Sequence, residues 1–359
     1  MIVSSASELA AALKAAAAGD TIYLAAGSYG ALRLDKIDAP DVTIRSLDAL
    51  NPASFTGLMV NASSGLEFRD IDLAVNPQSG FAVQVLGSKE ITLSSVNVHG
   101  REVGDGSGVM IRGSTSVTFE NSNVHHLHTG VNHLDSSDVR IIGNSFHDIR
   151  SDGVRGGGTS DIVISGNYFT DFYPGLLEHP DAIQFWTTNT KASAKNITIT
   201  DNVFVRGEGS AIQGIFVGNE WKIPYEQLTI TGNAIVGGMY HGIMVSNASG
   251  VVVEDNLVQG FTDIKSWIML NNTTGAEVSD NEATAYQVTG VNAGLLWLVN
   301  ETISVEPIGE SIHLQHWLDA RAVVPVPPPY TGDVGADLYG IDFNHLLASG
   351  GLFEGWALA

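Results

Sequence analysis

The sequence predicts an all-β fold, a single-stranded parallel β-helix with an N-terminal capping helix, and three observations carry that expectation. The first is a unit of alternating apolar residues that ends in asparagine. It recurs as Val139-x-Ile141-x-x-Asn144, Ile162-x-Ile164-x-x-Asn167, Ile197-x-Ile199-x-x-Asn202, Leu228-x-Ile230-x-x-Asn233, Val251-x-Val253-x-x-Asn256 and Ala276-x-Val278-x-x-Asn281. The second is its spacing: the asparagines fall 23, 35, 31, 23 and 25 residues apart, and a period near 23 is one coil of a solenoid. The third is another strand in each coil after a small residue, as in Gly108-Val-Met-Ile111, Gly130-Val-Asn-His133, Gly153-Val-Arg-Gly156 and Ala182-Ile-Gln-Phe185.

Each element follows from local pattern. Residues 5–19 read as an amphipathic helix with a polar start at Ser5 and a stop at Gly19, placed to cover the open edge of the first coil. Strands at Thr21–Leu24, Val42–Ile44, Leu66–Phe68, Ile91–Leu93 and Val117–Phe119 continue the beat before the asparagines begin. Beyond Val291 the pattern fades into Ser311–Asp319, read as an end-cap helix, and Pro325–Pro329 reads as a stiff spacer. The β-helix with its cap is thus expected over 1–320, and a Pro-rich spacer with a C-terminal tail over 321–359.

Composition narrows the partners. A net charge of −22 argues against nucleic acid or an anionic membrane. No apolar run is long enough for a transmembrane helix, and the N-terminus lacks the basic and apolar regions of a secretion signal. With no cysteine, disulfides and thiolate metal sites are excluded. Ten of the 17 Lys and Arg lie between Lys89 and Lys222, and those not simply solvated would form a local positive groove suited to a polyanion.

Parity within the second strand points one residue per coil outward: Gln84, Met110, Asn132, Arg155, Gln184, then Met244 and Met269. Asn132, Arg155 and Gln184 should form one row within reach of one sugar unit. The asparagine column is assigned no chemistry, since a buried amide at a turn can bond the coils above and below.

The two long intervals are coils with insertions, which collect on a solenoid's binding face. They carry His179, Asp181, Gln184 and Trp186, then Arg206, Trp221, Lys222 and Tyr225, with Tyr173 nearby. Aromatics beside charged groups suit sugar rings, and a uronic acid polymer fits best. Proton removal at C5 requires a neutralised carboxylate, for which Arg155, Asn132 or Gln184 is available. It requires a base, Lys222 or His179, and an acid for the departing oxygen, Tyr225 or Tyr173. Asp181, Trp186, Arg206 and Trp221 complete the expected substrate contacts. The run His125-His-x-His128 is read as surface histidines, with no metal centre assigned.

The capping helix, the Asn-ended coils and the block His179-Pro-Asp-Ala-Ile-Gln-Phe-Trp186 with the later Lys222 resemble right-handed parallel β-helix polysaccharide lyases, in particular the alginate and glucuronan lyases of polysaccharide lyase family 31. The resemblance spans roughly residues 5–320. It implies β-elimination on alginate, polymannuronate or glucuronan, with a Lys and Tyr pair mapping to Lys222 and to Tyr225 or Tyr173. It implies a secreted or periplasmic bacterial enzyme acting as a monomer on an acidic polysaccharide. No cofactor is required, and the acidic composition leaves Ca²⁺ open although no EF-hand spacing occurs. The alternatives are a mannuronan C5-epimerase, whose Asp-Pro-His order is reversed here, an inverting glycoside hydrolase using Asp152 and Asp181, and a non-catalytic carbohydrate-binding adhesin.

Overall fold

The computed structural model describes residues 1–178, 180–190 and 192–321. The chain winds as a nearly all-β, right-handed parallel β-helix. Each coil gives one strand to each of three parallel sheets. Among the described residues the front sheet has eleven strands, including Thr129–Leu134, Val154–Gly157, Asp181–Phe185, Gln213–Val217, Tyr240–Ser246 and Ser266–Asn271. Among the same residues the base sheet has thirteen, including Ser137–Ile142, Ser160–Ser165, Lys195–Thr200 and Tyr225–Thr231. The side sheet there has twelve, including Asn123–Leu127, Ser145–Ile149, Val203–Val205 and Ala234–Val236.

Period-2 alternation sends every second side chain into the bore. Val117, Val139, Ile162, Ile197, Leu228 and Val251 sit in register on successive base strands and are all fully buried. Each such side chain contributes about 1.5–3 kcal/mol through burial. The small residue that opens each front strand is a steric requirement. A Cβ on Gly130 would stand 2.4 Å from the Gly153 carbonyl and 2.8 Å from the Phe146 ring.

The asparagine column is a structural ladder between the base and side sheets. Asn144 Nδ2 donates to Phe119 O and to Asn167 Oδ1, both at 3.0 Å, and the Asn144 backbone N–H donates to the same Oδ1. Asn167, Asn202, Asn233, Asn256 and Asn281 repeat the pattern, and Asn300 extends it.

Helix α1 (Ala6–Ala15) forms where expected, with Ser5 Oγ accepting from the Glu8 N–H and Leu9 and Ala12 buried. Helix α2 (Ile312–Asp319) corrects the reading as an end cap. It lies on the flank of the side sheet, where Leu314, Trp317 and Leu318 pack with Val205, Val236, Leu257 and Phe261. The outward side chains of the side sheet are apolar in these coils and need that cover. Of the expected C-terminal spacer and tail, 322–359 lies outside the described residues.

Candidate functional site

The front sheet carries two adjacent outward columns. In one, Gln84, Met110, Asn132, Arg155, Gln184, Phe216, Met244 and Met269 follow in strict register. Asn132, Arg155 and Gln184 therefore stand on consecutive strands as the sequence predicts. The column also contains Phe216, which sequence reasoning missed although Gly214-Ile-Phe-Val217 has the same small-apolar-x-apolar pattern. In the other column lie Thr129, Asp152, Asp181, Gln213, His241 and Trp267, with Asp181 opposite Gln213 and His241 opposite Trp267.

The two columns are bonded to each other. Arg155 Nε donates to Asn132 Oδ1 at 2.8 Å, and its Nη1 donates to Asp152 Oδ2 at 3.1 Å. Gln184 Nε2 donates to Asp181 Oδ2 at 2.7 Å, and the Asp181 backbone N–H donates to Asp152 Oδ1 at 2.9 Å. Asp181 is wholly buried. Burial, with the Asp152 carboxylate beside it, pushes its pKa well above the usual carboxylate range, although Gln184 opposes the shift. Asp152 is thus paired with Arg155, and the carboxyl of Asp181 beside it is the one that burial drives toward its protonated form. Two buried polar atoms in this cluster have no protein partner, Asn132 Nδ2 and Asp181 Oδ1. Orphaned groups of this kind call for a ligand or a water.

Walls rise on both sides. The turn from front to base sheet spans only 158–159 in an ordinary coil, but 186–194 and 218–224 in the stretched ones. These two loops are tied together: the Thr187 N–H donates to Glu220 Oε2 at 3.0 Å, and the Trp221 N–H donates to Thr187 Oγ1 at 3.0 Å. Trp186 lies under the Arg155 guanidinium, 5.8 Å from its ring centre. Trp221 is half exposed and Lys222 exposed on this wall. On the opposite wall Tyr173 is partly exposed, and Arg150 pairs with Glu178 at 2.9 Å. His128 lies at that edge; burial first, and Arg155 second, lower its pKa, so its imidazole is neutral near pH 7.

Three sequence assignments need correction. Tyr225 opens a base strand and points into the bore. It is 1% exposed and its hydroxyl donates to Gly218 O at 2.6 Å, so it holds the loop and presents no proton to the groove. Arg206 is buried under the far end of the side sheet, where it donates to Gly237 O at 2.7 Å and pairs with Asp263 at 2.7 Å. The histidines of the run are partly exposed, and one of them belongs to a stacked column rather than to a freely solvated face. His99, His125 and His147 stand in register on the side sheet with rings stacked at 5.5 and 5.0 Å. Burial and the neighbouring imidazoles hold His125 at a pKa of about 3. His179 lies outside the described residues.

Among the described residues, no group of three or more His, Cys, Asp or Glu is arranged to hold a metal ion. No helix among them is long and apolar enough to cross a membrane.

Comparison with known proteins agrees with the geometry. A family model described as "Right handed beta helix region" matches residues 81–258. No curated protein matches the chain. Among solved structures, PfbA, a surface adhesin of Streptococcus pneumoniae, is 15% identical with a TM-score of 0.58, over 82% of this chain and 88% of that one. The Dettilon tailspike protein is 13% identical with a TM-score of 0.52, over 81% of this chain and 59% of that one. The lacto-N-biosidase from Eubacterium ramulus is 10% identical with a TM-score of 0.51, over 81% and 62%. At such identities the likeness is one of fold.

Proposed function

We propose that the protein is a polysaccharide lyase that cleaves a uronic acid polymer, alginate or glucuronan, by β-elimination, as the resemblance to polysaccharide lyase family 31 implies. One observation carries the reading: a hydrogen-bonding row that includes one guanidinium lies between the two lengthened loops and the opposite edge, with an orphaned donor beside it. Arg155, Asn132 Nδ2 and Gln184 would take the carboxylate of the sugar that loses its C5 proton. There they would stabilise the charge that develops on it in the transition state. Lys222 on the exposed wall is the proposed base. With Tyr225 in the core, Tyr173 is the remaining tyrosine for the leaving oxygen. Trp186 and Trp221 offer sugar-stacking faces. Polymers of this kind lie outside the cytoplasm, which is where we place the protein, as a monomer.

Similar folds include a lacto-N-biosidase, so an activity on carbohydrate is compatible with the architecture. One observation favours a second reading. Asp152 and Asp181 are carboxyls on neighbouring coils, and burial raises the pKa of Asp181, as the acid of an inverting hydrolase needs.

The test is incubation of wild type, Arg155→Ala and Lys222→Ala with polymannuronate, polyguluronate and polyglucuronate. Ultraviolet absorbance of unsaturated products should rise for wild type alone. New reducing ends without absorbance would move the assignment to hydrolysis, and no product from any polymer would sink both.

A further inference from the structure

Beyond Gln184 the front face changes character. The next three coils present Phe216, Met244 and Met269 in the Arg155 column, and His241 and Trp267 in the Asp181 column. Their rings form one cluster. His241 lies 5.5 Å from Phe216 and 5.8 Å from Trp267, edge-on to the latter, and Tyr240 lies 5.6 Å from Trp267. All of these side chains remain partly accessible, and Tyr240 is 46% exposed.

Two backbone irregularities coincide with the cluster. The pairing of Tyr240–Ser246 with Ser266–Asn271 slips between His241 and Ile243, which re-aims the side chains at that edge. Tyr240 itself has φ +45, the only Phe, Tyr or Trp among the described residues in the left-handed region. A bulky residue there is strained, and such strain persists where surroundings impose it, often at ligand clamps. The Tyr240 N–H is held by Lys265 O at 2.7 Å.

Polar order supports a ligand-facing role. His241 Nδ1 is bonded to Gln213 Oε1, which as an acceptor places the proton on Nδ1 and leaves the Nε2 lone pair uncommitted. Burial lowers the His241 pKa, so this acceptor is neutral near pH 7.

We infer that Tyr240, Trp267, His241 and Phe216 form a second carbohydrate subsite, which holds pyranose rings of the polymer by their faces and hydroxyls, not by their carboxylates. The inference rests on the polysaccharide reading, though not on the type of cleavage. Along the axis Arg155 lies three strand spacings, about 14 Å, from the strand that Tyr240 opens, and its guanidinium reaches Asp152 in the column of His241, so one chain running along the axis would engage both ends. The groove then has a charged end that selects uronates and an aromatic end that accepts any ring with an exposed C–H face. Chain length should matter as much as charge.

The experiment titrates tryptophan fluorescence with an oligomannuronate ladder and with neutral cello-oligosaccharides, using wild type, Tyr240→Ala, Tyr240→Gly and Arg155→Ala. Wild-type affinity should rise with oligomer length. Tyr240→Ala should lose that rise, with about a tenfold weaker Kd for the long uronates, and should lose cello-oligosaccharide binding. Arg155→Ala should weaken uronates and spare the neutral chains. Tyr240→Gly separates function from folding: its thermal midpoint should equal or exceed wild type while its binding is lost. Affinity in Tyr240→Ala that still rises with length would overturn the inference, as would a lower midpoint in Tyr240→Gly that accounts for the lost binding. If no lyase product forms but Tyr240→Ala still loses oligosaccharide affinity, the subsite stands and only the cleavage reading falls.

Discussion

The asparagine ladder and the front-face row both run from coil to coil along this solenoid, and they differ in how completely they are satisfied. In the corner between the base and side sheets, each ladder asparagine donates to a carbonyl of the preceding coil and to the amide oxygen of the next. On the front face, Asn132 and Arg155 are also joined across coils, yet Asn132 Nδ2 and Asp181 Oδ1 are left over. A buried polar group without a partner costs about 1–3 kcal/mol. The first row carries no such cost and is scaffold. The second does, and an incoming sugar carboxylate or hydroxyl would relieve it.

The largest effect that separates the rows is on turnover. Arg155→Ala should lower kcat/KM on the preferred polyuronate by about 100–1000-fold, the loss that follows removal of one donor to a developing oxyanion. An assay by absorbance of unsaturated product checks this. A loss below tenfold would mean that the row does not bear the developing charge.

Next comes the ladder itself. Asn202→Ala would leave the Asn167 backbone N–H and Nδ2 without their shared acceptor and would remove one donor from each of the Ile164 and Thr200 carbonyls. Urea unfolding should report a loss of about 2 kcal/mol or more, while substrate affinity of the folded protein stays as in wild type. Loss of affinity without loss of stability would reverse the roles assigned to the two rows.

The third test uses pH. A carboxyl whose pKa is higher in the folded state than the ordinary 3.8 binds more protons when folded. Its contribution to stability is therefore complete below that value and declines as pH rises through the folded-state pKa. Asp181→Asn keeps the shape, removes the titration and can still accept from Gln184 Nε2. It should flatten the decline in thermal midpoint above pH 4 and raise the midpoint at pH 7. An unchanged profile would show that Asp181 carries no such burden.

Both rows were partly legible in the sequence, for physical reasons that also set the limit. The ladder declares itself because one residue type must recur at one corner for coil-to-coil bonds to close, from Asn144 to Asn281. The Asn132–Arg155–Gln184 row follows from strand parity alone. Arg206 was not legible as structural, because its partner Asp263 lies 57 residues away in a later coil. The bond between His125 and Asn97 is likewise a matter of stacking between coils. The aromatic cluster at Tyr240 depends on a register slip that no periodicity announces.

Tyr225 shows the same limit at a single residue, and it supports the smallest prediction. In sequence it stands among Trp221, Lys222 and Pro224 in an insertion, the setting of a catalytic acid. In the fold it is the first residue of a base strand and faces inward, packed edge-on against Phe185 at 6.5 Å. Burial pushes its phenol pKa far above the ordinary value, which suits a structural donor. Tyr225→Phe removes one hydrogen bond, to Gly218 O, at the root of the loop that carries Lys222. Unfolding measurements should show a loss of about 1 kcal/mol, with turnover within twofold of wild type. A much larger fall in kcat at unchanged stability would restore the hydroxyl to the chemistry, and would require the 218–224 loop to open and bring it into the groove.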